Sequence, residues 1–307
     1  KLPALVPLSA VGWWNFLMFC NGLVGAVSRK MYEWGWLFLW LVHHKIHGPY
    51  WVDSMTEPIL SEFNKYLRLF DGLHLWALFI SIGCIVLIPF LGRMLPKNKK
   101  HVGVWILVTI TIVQEIVDYC NRTSFRELNL ARDLPLNICS YSLIIALASL
   151  ITRNRFCFEF SYFIGVTAGL QSLLTPGLSY IYNQTEYILF FVHHSLMVIL
   201  PLWNVFVDRM TTSKYAIFRT MIFLNLMVLP VGIINWLTES NYMYICEKPV
   251  NDSPFILGDW PWYMVSLQVI GIIMMLIAAI PMVWANKGKH SQVWKNLMIA
   301  SFSVSKV

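Results

Sequence analysis

Seven stretches of the chain, at about 69–92, 102–119, 134–152, 156–176, 186–207, 215–237 and 262–286, run apolar for close to the roughly 20 residues that a membrane-spanning helix needs. Hydrocarbon offers no hydrogen-bond partner, so a segment crossing it must satisfy its own backbone, and such stretches fold as helices. Composition agrees: 57% of the 307 residues are hydrophobic and 13% are charged, more apolar surface than a soluble domain can bury. The expected fold class is all-α, a polytopic transmembrane helical bundle with seven firm spans plus one or two N-terminal helices. Residues 9–27 form a candidate eighth span, whereas the Trp-rich "MYEWGWLFLWLV" from Met31 is too short to cross and reads as interfacial. The organisation that follows is an N-terminal region over 1–68, a seven-helix membrane core over 69–286 and a tail over 287–307.

The distribution of cations orients the bundle. Arg93, Lys97, Lys99, Lys100, Arg153, Arg155, Arg209, Lys214, Lys287, Lys289 and Lys295 fall on one side, against Arg122, Arg126, Arg132 and Lys248 on the other. The first side is expected to be cytoplasmic, and the C-terminus with it, in a bacterial cell membrane or the endoplasmic reticulum of a eukaryote. All three N-x-[ST] sequons, at Asn121, Asn183 and Asn251, land on the outer side. The net charge of +7 is dispersed over short loops and forms no basic face, so no nucleic-acid partner is expected. The six cysteines show no metal-ligand spacing, so neither a metal nor a cofactor is expected. The chain begins at Lys1 without a Met, so a processed or longer N-terminus is expected, and no three-part signal-peptide layout is visible.

At about 1.5 Å per residue along each helix, the polar residues acquire depths. Asp71, His74, Glu115, Asp118, Cys139, Gln171, His193, His194, Asn235 and Gln268 all fall in the outer half, whereas Glu159 and Asn204 lie in the inner half. Polar groups facing lipid are costly, so these should turn inward and line a pocket open to the outer leaflet. Asp133 and Pro135 read as the cap and first turn of the 134–152 helix. Cys139 is the one good nucleophile in the pocket, and His193 and His194 are its available bases. Their side chains diverge by about 100° on a helix, so only one of them can face Cys139. Glu115 could orient the base, His194, and Glu115 and Asp118 could pair with His74. The long outer loop between Leu237 and Trp262 reads as a lid, and a disulfide between Cys120 and Cys246 would pin it.

The segments "LPLNIC" from Leu134, "GLQSLLTPGL" from Gly169, "FFVHHSL" from Phe190, "NWLTESNYMYICEKP" from Asn235 and "GDWPWY" from Gly258 resemble the YwaF-like integral membrane proteins. Those are similar in turn to an animal transmembrane acyltransferase that moves fatty acyl chains between phospholipids without coenzyme A. The resemblance covers about residues 70–285. It departs from the bacterial pattern at Asn137, where many relatives carry His, and at Gly177, where they carry Asp. It implies a nucleophilic Cys139 and a base at His194, with phospholipids and lyso-phospholipids as substrates within the membrane. Asn137 would be an oxyanion donor, and Glu115, His74, Gln171 and Asn235 would support the pair. Two rival readings use the same inward polar residues: a transporter or channel, and a non-catalytic membrane assembly protein.

The cation asymmetry makes a topological prediction. A cysteine placed at Lys99 should react with an impermeant thiol reagent only from the cytoplasmic side, and one placed at Asn183 only from outside. Reversed labelling would move the pocket to the inner leaflet.

Overall fold

A computed structural model of the chain describes residues 69–125, 127–177, 183–248 and 256–304. The expected spans and domain at 1–68, and the sequon at Asn251, lie outside the described residues. Among the described residues there are helices and turns and no strand. The helices are α1 (Gly72–Met94), α2 (Lys100–Phe125), α3 (Ile138–Thr152), α4 (Arg155–Ile164), α5 (Leu170–Leu174), α6 (Gln184–Phe206), α7 (Ala216–Thr238) and α8 (Trp262–Val304). Five of them, α1, α2, α6, α7 and α8, are long and apolar enough to cross a membrane. Their outward faces carry large apolar side chains such as Trp76, Phe79, Trp236 and Trp284. Such faces suit lipid and not water, and the protein is a multi-pass integral membrane protein.

α6 is the centre of the bundle. Within its apolar window 67% of residues are buried, against 11% in α7 and α8. It packs on α1, α2, α3, α4 and α5. Leu196, Met197, Val198, Ile199, Leu200 and Trp203 make one side of the larger core, which Leu78 and Ile85 of α1, Leu107 of α2 and Leu143 and Leu150 of α3 complete. A second core joins Phe158, Phe160 and Phe163 of α4 to Ala216 of α7 and to Met275 and Met282 of α8.

The stretch expected as one helix over 156–176 is a run of three pieces. α4 passes into a π-helical turn at Gly165–Gly169 and then into the short α5. The wider turn brings both glycines against α6. A Cβ at Gly165 would overlap the carbonyl oxygen of Met197, and one at Gly169 would lie 2.9 Å from the Val198 side chain and 3.4 Å from the carbonyl oxygen of His194. Single π turns of this kind mark positions where a helix gives up regular geometry for local contact.

The helix expected to start at Leu134 begins instead at Ile138. Asp133 does not cap it: Oδ2 accepts from the Asn129 N–H at 2.8 Å and closes the preceding turn. Pro135 sits at the middle of a tight turn in which the Leu136 N–H reaches the Leu134 carbonyl at 2.8 Å. A proline disfavours helical backbone in the residue before it, so the chain cannot wind until it is past this turn. The N-cap is Asn137, and its side chain makes no capping hydrogen bond. At the other end of the chain, α8 continues without a break past residue 286, where the tail was expected to begin.

Substituting Gly165 by Ala should push the π turn off α6 at a cost of about 1–3 kcal/mol, as overpacking typically does. Gly232→Ala, with nothing within 4 Å of the added methyl, serves as control. A thermal midpoint unchanged in Gly165→Ala would contradict the close approach.

Candidate functional site

Cys139 is the second residue of α3, behind the N-cap Asn137 and Ile138. The first hydrogen bond of the helix runs from the Tyr141 N–H to the Asn137 carbonyl at 3.2 Å. The amides of Ile138, Cys139 and Ser140 precede that bond and are the groups a helix start leaves without intrahelical partners. The thiol is therefore in the first turn, where the partial positive charge of the helix favours an anion, and not a turn deeper as a start at Leu134 would imply. Cys139 packs against the α6-centred core, and its thiol pairs with the side chain of Ser172 on α5.

His194 lies in the middle of α6, and its backbone carbonyl is close to Gly169 at the end of the π turn. The residue is 7% exposed. Its Nδ1–H donates to the Phe190 carbonyl at 2.8 Å, and its ring stacks on Phe190 with centroids 4.2 Å apart. A carbonyl only accepts, so this bond fixes the proton on Nδ1, and in the neutral ring Nε2 carries the lone pair. No hydrogen bond joins Cys139 to His194 among the described residues. Both border one turn of chain, Gly169 to Ser172, which rises only about 4.5 Å.

His193 turns to the opposite side and pairs with Glu115 of α2, Nδ1 to Oε1 at 2.8 Å. Its ring centroid is 5.1 Å from that of His194. The carboxylate expected to orient His194 thus pairs with its neighbour His193 instead, because His193 is the residue whose ring reaches α2. Asp118 pairs with Arg122 one turn along, at 2.5 Å. His74, 1% exposed, meets neither acid. Its Nδ1 accepts from the Phe70 N–H at 2.9 Å, which leaves the proton on Nε2 to donate to the Leu173 carbonyl at 2.9 Å. With both nitrogens used, His74 is a brace that closes the end of α5. Gln171 closes the same end through Thr175, its Nε2 donating to Oγ1 at 2.8 Å.

Asn235, near the end of α7, and Asn137, the N-cap of α3, both hold the loop that follows α7. Asn235, 2% exposed, accepts at Oδ1 from the Ser240 hydroxyl at 2.8 Å and the Tyr242 N–H at 2.9 Å, and donates to the Tyr242 carbonyl at 3.0 Å. The Tyr242 hydroxyl accepts from the Leu134 N–H and donates to the Leu130 carbonyl, both at 2.8 Å. Asn137 Oδ1 accepts from the Met243 N–H at 3.3 Å. The loop after α7 is thereby laid across the lead-in to the Cys139 helix. Ser172 and Tyr242 were not foreseen: a serine in an apolar helix and a tyrosine in a loop carry no signal of their own, although both fall inside segments that the sequence singles out.

At the far end of α4, Glu159 is 1% exposed. Its carboxylate takes the guanidinium groups of Arg155, at 3.1 Å, and of Arg219, together with the Ser213 N–H at 2.7 Å. This cluster fastens α4 to α7 at the basic end of the bundle and is remote in sequence from every residue around Cys139.

A family profile matches residues 69–279. The chain belongs to the TMEM164 family. The matched region runs from the lead-in of α1 into the first half of α8 and holds every residue placed around Cys139, so the site lies wholly in the part of the chain shared with TMEM164 proteins. No curated protein and no solved structure matches.

Cys120 and Cys246 are both free thiols, so no disulfide pins the loop. The loop is held by hydrogen bonds instead, among them Trp260 Nε1–H to the Ile245 carbonyl at 3.1 Å and the Tyr263 hydroxyl to the Tyr244 carbonyl at 2.7 Å. Of the sequons, that at Asn121 lies within α2 with its amide nitrogen buried. Peptides carrying Cys120 and Cys246 should alkylate to the same extent with and without prior reduction. Labelling of both that appears only after reduction would restore the disulfide.

Proposed function

We propose that this TMEM164-family protein is a membrane-embedded transacylase that moves a fatty acyl chain between phospholipids through a thioester on Cys139. In this reading α3 and the α4–α5 run also cross the bilayer, which makes seven spans, with the C-terminus cytoplasmic and the site in the outer half. The observation that carries it is the position of the thiol. Cys139 lies in the first turn of a helix, beside Ser172, while the backbone of His194 approaches Gly169 one turn earlier in that chain, and the Nε2 lone pair of His194 is set by its Nδ1–H bond to Phe190.

In the first half-reaction His194 Nε2 takes the thiol proton and the sulfur adds to the ester carbonyl of the donor lipid. The first-turn amides are the nearest donors for the negative oxygen that forms. The tetrahedral adduct then expels the lyso-lipid oxygen, which takes the proton back from His194 and leaves the acyl group on sulfur. In the second half, His194 takes the proton of an acceptor lyso-lipid hydroxyl, that oxygen attacks the thioester, and Cys139 leaves as the thiolate and is reprotonated. No external proton, oxidant or cofactor enters the cycle. The direct Cys139–His194 bond would form on substrate binding, as catalytic hydrogen bonds in ligand-free sites are often long. Glu115 acts here through His193, by holding that neighbour's ring against α2.

Incubation with a phospholipid should leave an acyl adduct on Cys139, read by mass spectrometry of the peptide. Cys139→Ser and His194→Ala should each lower transfer by about 10²–10⁴-fold, the usual worth of a positioned base. The double variant should be barely worse than either single one, because residues acting as a unit are not additive. His193→Gln, which keeps a donor for Glu115, should retain turnover. Full turnover in Cys139→Ser, or a requirement for His193 and not His194, would overturn the assignment.

A further inference from the structure

The segment "NWLTESNYMYICEKP" contributes nothing to the acyl-transfer chemistry as written, yet it is among the most densely hydrogen-bonded parts of the protein. We propose that Tyr242 is a positioning residue for Cys139. The inference rests on the reading of Cys139 as the nucleophile.

The lead-in to α3 is not helical, so its peptide groups need partners from elsewhere in the protein. Tyr242 supplies two of them with one hydroxyl, accepting from the Leu134 N–H and donating to the Leu130 carbonyl. These groups lie five and nine residues ahead of Cys139, both on the N-terminal side of Pro135. Tyr242 is itself 3% exposed and is gripped on its backbone N–H and C=O by the single side chain of Asn235. The next residue, Met243, gives its N–H to Asn137 Oδ1. That commits Asn137, the N-cap, to the loop, and it makes no capping bond to the first-turn amides around Cys139.

The loop accepts an unfavourable backbone to do this. Met243 and Tyr244 have φ of 59° and 51°, a left-handed conformation that costs non-glycine residues free energy and persists only where surrounding contacts impose it. Here the contacts are the Asn235 clamp on one side and the Tyr263 hydroxyl on the Tyr244 carbonyl on the other. The strained pair is what turns the Tyr242 ring toward the 130–134 backbone while aiming the Met243 N–H at Asn137. The chain Asn235, Tyr242, Leu134, Asn137 thus couples the end of α7 to the start of the Cys139 helix. Tyr242 touches neither thiol nor substrate in this scheme and acts only through the helix it holds.

The test is Tyr242→Phe in the full-length protein, which removes the hydroxyl and keeps the ring. Tyr187→Phe is the control, because its buried hydroxyl has no hydrogen-bond partner in the structure. Two readouts are taken: kcat and KM for acyl transfer to a lyso-phospholipid, and the rate at which N-ethylmaleimide modifies Cys139 relative to Cys120. The ratio is measured peptide by peptide in native membranes and does not depend on yield. Tyr242→Phe should lower kcat by about ten- to a hundredfold, the cost of a small misplacement of a reacting group, with KM within about twofold. The Cys139/Cys120 ratio should fall with it, while Tyr187→Phe matches wild type in both. Wild-type kcat and an unchanged ratio in Tyr242→Phe, or the same losses in Tyr187→Phe, would overturn the proposal. Should Tyr242→Phe fail to accumulate, Asn235→Asp, which loses the donor to the Tyr242 carbonyl, is judged by the same two criteria. A wild-type protein without acyl transfer refutes the transacylase reading alone, and the alkylation ratio then decides whether Tyr242 holds the Cys139 helix.

Discussion

Backbone satisfaction in a medium without water is the constraint on which the rest of this structure depends. Five of the described helices meet it in the simplest way, by staying helical over a length that can cross a bilayer. α3 does not. Its 15 residues reach about 22 Å at 1.5 Å each, short of the roughly 30 Å hydrocarbon thickness. A helix that starts late leaves peptide groups of its lead-in to be matched by other parts of the protein. The Tyr242 hydroxyl and the turn that Asp133 closes do this. The loop after α7 is therefore part of the hydrogen bonding that completes the bundle.

The same constraint explains why α6 carries the two histidines. A polar side chain is tolerated at membrane depth only on a face turned toward protein, and α6 is the helix surrounded on most sides. It holds His193 against Glu115 of α2 and keeps His194 buried on Phe190. The close approach of α6 to the π turn, through Gly165 and Gly169, sets the carbonyls of Met197 and His194 against that turn. Replacing those glycines would separate α6 from the turn that leads into α5.

The sequence made the bundle legible because runs of about 20 apolar residues have few alternatives, and every described helix overlaps a stretch expected from them. The start of α3 was not legible. Asp133 and Pro135 carry the residue types of a helix start, but an aspartate caps whichever turn its oxygen reaches, and here that is the turn behind it. Helical periodicity correctly separated the faces of His193 and His194, yet it could not say which of them Glu115 would meet. His74 looked like a partner for buried acids, and only coordinates reveal that two backbone groups already occupy its nitrogens. Depth arithmetic put Asn235 among the pocket residues because it carries no knowledge of how the loop beyond a helix folds back. The residues missed outright, Ser172 and Tyr242, act through hydroxyl groups, whose partners depend on tertiary contact far more than on local sequence.

These corrections meet at Cys139. A helix begun at Leu134 would have carried the thiol past its first turn, where little of the favourable field remains, since the effect falls off within that turn. The Pro135 turn delays winding by four residues, and Cys139 becomes the second residue of the helix, among amides that have no intrahelical acceptor. Asn137 is of a type that would ordinarily cap such amides, but its oxygen is held by the Met243 N–H. Late winding, an unused cap and a strained loop each look unfavourable when taken alone. Together they leave a cysteine at a helix start whose N-cap side chain is turned to the loop and not to the first-turn amides, and under the proposed chemistry a negative charge appears there first on the Cys139 sulfur and then on the oxygen of the bound ester.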